Sequence, residues 1–468
     1  MERSVALRQR GQIATLLNSL QQPARQGWGA RRPDPRNLRT WRQFILGVWV
    51  ARSTRLLTVA RVIAPQRRVS RVKAAAAALG YFLDTAQLPL RPWSTAVLEA
   101  SWRALDPSVV TTYRGRPLLV IDPTEYAKRS RGHGKRTRQM EHIGRVRRPT
   151  KGPKLSRRKA AAPQGAARTP APVRSVRVAT TSGYVDVWAG LVLQGKQFFP
   201  VGRLLYSNRH PQLRSQNRVE EAVLGGAVAL TRQWGLDPIV VGDRGLGRKE
   251  LLIRLAQRQQ AFVFRVDPDI TLWDAAGRER GALAAVLTEQ AAWGEAWWYG
   301  GEDGPVRCAV RVVRGAIRCS RTGRQADYTE APLTFVELRP LAGTRAPLVL
   351  ATTLPVATLA DARGIAWVYG QRWAIETGFE TLKAWGLGRF MVRGWQAIDR
   401  LLWVVAIAYT VLLVLLHAAR LARLRRQACA VLQQQGVLGR YLTVGKLAEA
   451  IAFDFPDHRR TWIQVWRC

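Results

Sequence analysis

The chain has 468 residues, 47% of them hydrophobic, which is enough for two or more structural units of ordinary globular composition. Its 74 Lys and Arg against 32 Asp and Glu give a formal net charge of +42, a field that draws polyanions. Arginine runs along the whole sequence rather than in one cluster beside an amphipathic helix, so nucleic acid fits better than a membrane surface.

The four cysteines, Cys308, Cys319, Cys429 and Cys468, contain no C-x-x-C pair, and the five histidines lie at no zinc-finger spacing from them. A reducing, cytoplasmic setting without structural zinc is expected. The opening MERSVALRQRGQIATLL lacks the apolar stretch of a secretory signal.

Residues 1–110 read as helical, broken by Pro-containing loops at 33–35 and 89–92, and carry 18 basic and 5 acidic residues. They are the expected DNA-binding region, with a solvated basic bundle as the plain alternative. From residue 111 the texture changes. RPLLVID is an apolar run ending in an acid, the pattern of a buried strand that delivers the Asp122 carboxylate at its end. Residues 123–174 then hold 16 basic and 2 acidic residues among scattered Gly and Pro, which predicts a loop over 128–174. Its cations, Lys128 and Arg129 among them, are candidate DNA-backbone contacts with a salt-dependent grip. His133 and His142 in this stretch are assigned no catalytic role.

Two or three β-rich runs follow up to Tyr206, then a helix from about Gln216 to Gln233. DPIVVGDRGLG repeats the strand-to-acid signature and places Asp243 before a Gly turn and an amphipathic helix. AFVFRV, 261–266, is a further strand, closing a first core segment over 111–267. Residues 268–345, with Trp293, Trp297 and Trp298, read as a β-rich insertion subdomain. The core resumes over 346–419 with the strand PLVLATTLP and a long helix at about 357–385. Leu401–Leu416 is an apolar run of sixteen residues, short of the roughly 20 that cross a bilayer, and is predicted to be a buried core helix. Residues 420–468 are expected to be helical and to serve dimerisation. This order of elements suits a mixed α/β sheet flanked by helices.

On one continuous helix Tyr369, Arg372, Glu376 and Lys383 fall within roughly 60° of each other, with Trp373, Ile375 and Phe379 facing the opposite way to pack. A surface helix with an Arg372–Glu376 pair worth about 0.3–0.5 kcal/mol is the bland reading. Two earlier strands that deliver aspartates tip the balance. Asp122, Asp243 and Glu376 brought within a few ångströms repel one another, and hard oxygen donors call for Mg²⁺ or Mn²⁺, with two ions roughly 4 Å apart serving phosphoryl transfer. Glu380, about 40° round the helix, is assigned to the surface or to a supporting role.

The gaps in Y-(2)-R-(3)-E-(6)-K at Tyr369, Arg372, Glu376 and Lys383 resemble the signature of bacterial insertion-sequence DDE transposases of the insertion-sequence-4 type. Asp122 with Thr124, and Asp243-Arg244-Gly245, match the contexts of that family's two aspartates, and the resemblance covers about residues 115–400. It implies an RNase H-like mixed sheet flanked by helices with a β-rich insertion and helical terminal regions. It also implies Asp122, Asp243 and Glu376 as catalytic metal ligands, and Mg²⁺ or Mn²⁺ as cofactor. By the same resemblance, a homodimer on double-stranded DNA moves an element by cut-and-paste at terminal inverted repeats and joins it to target DNA, in a cytoplasmic, nucleoid-associated bacterial setting. Tyr369, Arg372 and Lys383 would contact DNA near the cut. Trp297 or Trp298 would hold a flipped base by stacking, against a plainer role in packing the insertion.

Overall fold

The structure is a computed structural model and describes residues 34–64, 69–85, 90–128, 140–147, 180–213, 215–298, 304–320, 328–343, 345–417, 422–435 and 442–452. Arg129, His133 and most of the basic segment 128–174 lie outside the described residues, while Gly144–Arg147, expected within a loop, form a strand.

Four helices open the described chain: α1 (Pro35–Ala51), α2 (Leu56–Ile63), α3 (Val69–Asp84) and α4 (Leu90–Ala104). Of the prolines expected to mark breaks in this region, Pro35 and Pro92 stand in the first turns of helices. Pro35 follows the cap Asp34, whose carboxylate accepts from the Arg36 amide at 2.8 Å, and Pro92 lies in the first turn of α4. A first-turn residue needs no amide donor, so proline is tolerated there.

Among the described residues, thirteen strands form one sheet. They are β1 (Thr112–Tyr113), β2 (Arg116–Ala127), β3 (Gly144–Arg147), β4 (Thr180–Leu193), β5 (Gln197–Tyr206), β6 (Ile239–Gly242), β7 (Phe262–Arg265), β8 (Thr271–Trp273), β9 (Glu279–Ala282), β10 (Gly294–Trp298), β11 (Val306–Ser320), β12 (Tyr328–Pro340) and β13 (Leu348–Thr352). Between them come α5 (Gln216–Gln233), α6 (Lys249–Gln257) and α7 (Leu283–Thr288). After β13 come α8 (Leu359–Gly370), α9 (Trp373–Ala384), α10 (Trp395–His417) and α11 (Ala422–Gln434).

At the centre β2, β6 and β7 run parallel, with Ile121 opposite Gly242 and Gly242 opposite Phe264. The β4–β5 hairpin adds to one side antiparallel, and β13, β12 and β11 add to the other. This mixed, mostly antiparallel sheet flanked by helices is consistent with an RNase H-like core of the transposase kind. Strands from 268–345 do not stand apart: β12 pairs with β13 from Thr334↔Thr352 to Leu338↔Leu348, so the inserted hairpin extends the central sheet.

Helix α10 is long and apolar enough to cross a membrane, yet 94% of its apolar window is buried inside the protein. Helices α1, α3 and α4 pack around it. The Trp49 indole donates to the Ala408 carbonyl at 2.9 Å, and Arg400 donates to that of Leu83 at 3.0 Å. The apolar faces of the N-terminal helices are thus consumed in covering α10, while Arg36, Arg39, Arg55, Arg61, Arg71 and Lys73 stay exposed.

Candidate active site

Register places the first two acids. Because Ile121 and Gly242 are partners in adjacent parallel strands, the residues that follow them, Asp122 and Asp243, lie side by side about 4.8 Å apart in strand spacing. Asp122 is not at a strand end as expected: β2 continues to Ala127, held by its antiparallel pairing with β4. The strand next to Asp122 ends first, at Gly242, so the carboxylate stands where the sheet opens on one side. After Asp243 the chain turns sharply, with the Leu246 amide donating to the Asp243 carbonyl at 2.9 Å.

The third acid comes from above. The predicted single helix over 357–385 is two helices. Bonds of the i→i+3 kind at the Gly370–Arg372 junction, Arg372 N to Tyr369 O at 3.0 Å and Ile375 N to Arg372 O at 3.2 Å, tighten and redirect it. Helix α8 packs over β7, β12 and β13, and α9 over β2, β4 and β5, so the junction lies above the β2–β6 boundary where the aspartates stand. Gly378 lets α9 come close: a Cβ there would lie 1.9 Å from the Phe198 ring.

At this junction the Arg372 guanidinium, buried, reaches Glu376 at 2.6 Å and Asp122 at 3.8 Å. Its Nε is buried with no hydrogen-bond partner among the described residues, so the cation retains an unused donor. The Tyr369 hydroxyl donates to Asp243 Oδ1 at 2.9 Å. Burial raises the Tyr369 phenol to about 12, keeping it a donor.

The two aspartates are tuned apart. Burial pushes Asp122 up to about 7 against the pull of Arg372, with the charges of Glu376 and Asp243 adding to the rise. At Asp243 burial also raises the carboxyl, but Arg372, the Arg244 amide and the Tyr369 hydroxyl outweigh it and the net shift is downward. Neighbouring carboxylates separated in this way mark a functional site.

Three oxygen donors, one of them with a penalised anionic form, suit a hard divalent cation in chemistry. The cage is not preformed: among the described residues no group of three acids, histidines or cysteines has metal-holding geometry, and Arg372 stands between Asp122 and Glu376.

Other expectations fared differently. Lys383, in the last turn of α9, is exposed, as is Glu380. Trp373, expected in the core with Ile375 and Phe379, is instead 38% exposed beside the Arg372 guanidinium, whereas those two are buried. The break before α9 rotates it away from the packing face. Lys128 is turned inward, its ammonium donating to the carbonyls of Gly388 at 2.8 Å and Phe390 at 2.9 Å, so it does not present the free charge expected of a phosphate contact. Trp297 is 55% exposed on β10, while Trp298 is half-buried under the Arg345 guanidinium at 3.9 Å, a packed position.

One residue went unread in the sequence. Gly242 pairs with Phe264, so Arg265, next along β7, flanks Asp243 and helps to lower its carboxyl. Three parallel strands therefore present Asp122, Asp243 and Arg265 in a row. The signal was the shared position one residue past each parallel register, which requires knowing that the three strands are neighbours.

Residues 211–411 match the family model of the transposase DDE domain. The matched stretch includes Asp243, Tyr369, Arg372, Glu376 and Lys383 and begins after Asp122. It supports a transposase of the DDE type, an enzyme that cuts or transfers DNA strands. No curated protein matches the chain.

Proposed function

We propose that the protein is an insertion-sequence transposase of the insertion-sequence-4 type that cuts DNA at terminal inverted repeats and joins the freed 3′-hydroxyls to target DNA. The reading rests on one observation above all: Asp122 and Asp243, adjacent by strand register, lie beneath a helix junction that brings Arg372 and Glu376 over them.

Asp122, Asp243 and Glu376 would hold Mg²⁺ or Mn²⁺, two ions in all, which supply activation of the attacking hydroxyl and charge neutralisation at the leaving oxygen. The protein's own groups have the task of positioning. Tyr369 donates to one oxygen of Asp243 and would fix the orientation of that carboxylate. Arg372, the cation between two acids, has one donor to spare and would swing part of its charge to the scissile phosphate as it arrives. Arg265 lies on the far side of Asp243 and would take a non-bridging phosphate oxygen there. Lys383 would track the backbone outside the cut, and exposed Trp297 would stack on an unpaired base. Exposed cations elsewhere would hold the flanking duplex, with two copies of the chain acting together on the two ends in a cytoplasmic, nucleoid-associated complex.

Strand transfer tests the reading. Pre-cut ends carrying the gene's own flanking repeats, incubated with the protein, Mg²⁺ and a supercoiled plasmid, should yield plasmid insertions whose junctions join the terminal 3′-hydroxyl to target DNA. Cutting of the same repeats in uncut DNA, without insertion of the pre-cut ends, would make the protein a nuclease. Binding without either reaction would make it a repurposed DNA-binding protein.

A further inference from the structure

Beyond the acids, the chain leaving α9 forms a fixed segment that seats Leu387 and Phe390 in the core. Residues 386–393 have no regular secondary structure, yet they are pinned throughout. The Leu387 amide donates to Leu382 O at 3.0 Å, and that of Arg389 to Gly386 O at 2.7 Å. Thr54 of the N-terminal helical region donates to Gly386 O at 2.7 Å, and the Glu141 amide to Arg393 O at 2.9 Å. Lys128 caps two carbonyls, with its ammonium 3.3 Å from the Phe390 ring centroid. Gly386 and Gly388 take positive φ, which L residues adopt at a cost.

This pinning turns Leu387 and Phe390 inward and leaves Arg389, Met391 and Arg393 facing solvent, Met391 at 54% exposure. Among the described residues, neither arginine side chain has a salt-bridge partner within 4 Å. A cation, an apolar side chain and a second cation at alternate positions of an extended segment project on one side. Lys128 is turned inward to anchor the Gly388 and Phe390 carbonyls, with burial drawing its ammonium down to about 7, so the segment is held by more than the burial of Leu387 and Phe390.

We propose that 389–393 is a DNA rail for the duplex flanking the cut, with Arg389 and Arg393 on the phosphates either side of the minor groove and Met391 directed into it. The inference rests on the transposase reading and adds to it a contact site outside the catalytic centre. Four extended residues place the two arginines about 13 Å apart, enough to straddle a minor groove about 6 Å wide with its bordering phosphates. Methionine is among the apolar side chains that enter minor grooves and open base steps. Lys128 continues the β2 line, its amide bonded to Ser182 O at 2.8 Å, six residues beyond Asp122. At about 3.3 Å per residue the latch stands roughly 20 Å from the acids, or about 6 base pairs of duplex. The rail thus meets DNA about half a helical turn from the scissile phosphate.

Two measurements on the full chain, with metal chelated, decide the matter. Affinity for a duplex is read against salt concentration for wild type and for Arg389→Ala/Arg393→Ala, whose melting temperature should be unchanged because both side chains are exposed. Each phosphate contact contributes about 0.9 to the log–log slope, so the double variant should be shallower by about 2. Coincident slopes overturn the rail. On DNA with the gene's terminal repeats, hydroxyl-radical protection about 6 base pairs from the cut should vanish in the double variant and weaken in Met391→Ala, while protection at the cut persists. Undiminished protection at that position also overturns it. Should wild type ignore the repeats altogether, the transposase reading fails, and the salt slope still decides the rail.

Discussion

The same pair of strands carries two clusters of carboxylate, arginine and aromatic hydroxyl with opposite fates. At Asp186, on β4, every demand is met. Its oxygens accept from the Trp188 indole at 2.6 Å, from the Tyr126 hydroxyl at 3.0 Å and from Arg203 at 2.8 to 3.1 Å, and Arg203 turns its other end to Asp399 at 2.8 Å. Asp186 and Arg203 are fully buried. At Asp122, on β2, one arginine serves two carboxylates and keeps a donor unpaired, a third acid stands alongside, and the Glu376 side chain remains one-third exposed. The chemical types match; satisfaction differs. A closed network welds β2, β4, β5 and the start of α10 together, whereas an open one has charge to spend on a substrate.

The sharpest way to break this contrast is to delete an acid from each cluster. Glu376→Ala should lower strand cutting by about 10³-fold or more while leaving the thermal midpoint nearly unchanged, since the loss falls on transition-state charge. Arg203→Leu should do the reverse. It strands Asp186 and Asp399 without their cation and should destabilise the fold by about 3–5 kcal/mol in denaturant titration, with cutting per folded molecule intact. Equal effects of the two substitutions on cutting and on stability would erase the distinction.

Acidity sharpens it further. The Asp122 pKa is raised in the fold to about 7 against an ordinary 3.8, so the folded form binds the extra proton and is favoured below that range. Stability from this group is full below about pH 4 and is lost as pH rises through 7. In EDTA the melting temperature should therefore fall between pH 5 and 8. Mg²⁺ should restore it at pH 8, and Asp122→Asn should flatten both responses. The smallest effect is expected at Tyr369→Phe, which removes one hydrogen bond to Asp243. A cost of about 1–1.4 kcal/mol, or some five- to tenfold in cutting rate with little change in DNA affinity, is the outcome to look for.

Local patterns in the sequence carried the candidate acids but not their arrangement. The apolar runs before Asp122 and Asp243, helix α5 and the buried run at 401–416 were readable because each is set by hydrophobic order within one element. The break at Gly370–Arg372 was not, because Tyr369 to Lys383 fits an unbroken 3.6-residue repeat and only packing on two parts of the sheet forces the kink. Trp373 was misplaced for the same reason. Arg265 and Lys128 depended on long-range partners, the parallel register of β6 with β7 and the carbonyls of 388 and 390, which no window of sequence contains. The joining of β12 to β13 likewise appears only in three dimensions.

The most direct test of the account is cutting itself. A labelled duplex with the gene's flanking terminal repeat is incubated with wild type or Glu376→Ala, in Mg²⁺ or EDTA, and binding and strand cleavage are read from the same samples. Cleavage at the repeat boundary by wild type in Mg²⁺ alone, absent in Glu376→Ala although it still binds, is the predicted result. Firm binding by wild type with no cleavage in either Mg²⁺ or Mn²⁺ would contradict it, and would leave the open cluster around Arg372 without the chemistry assigned to it.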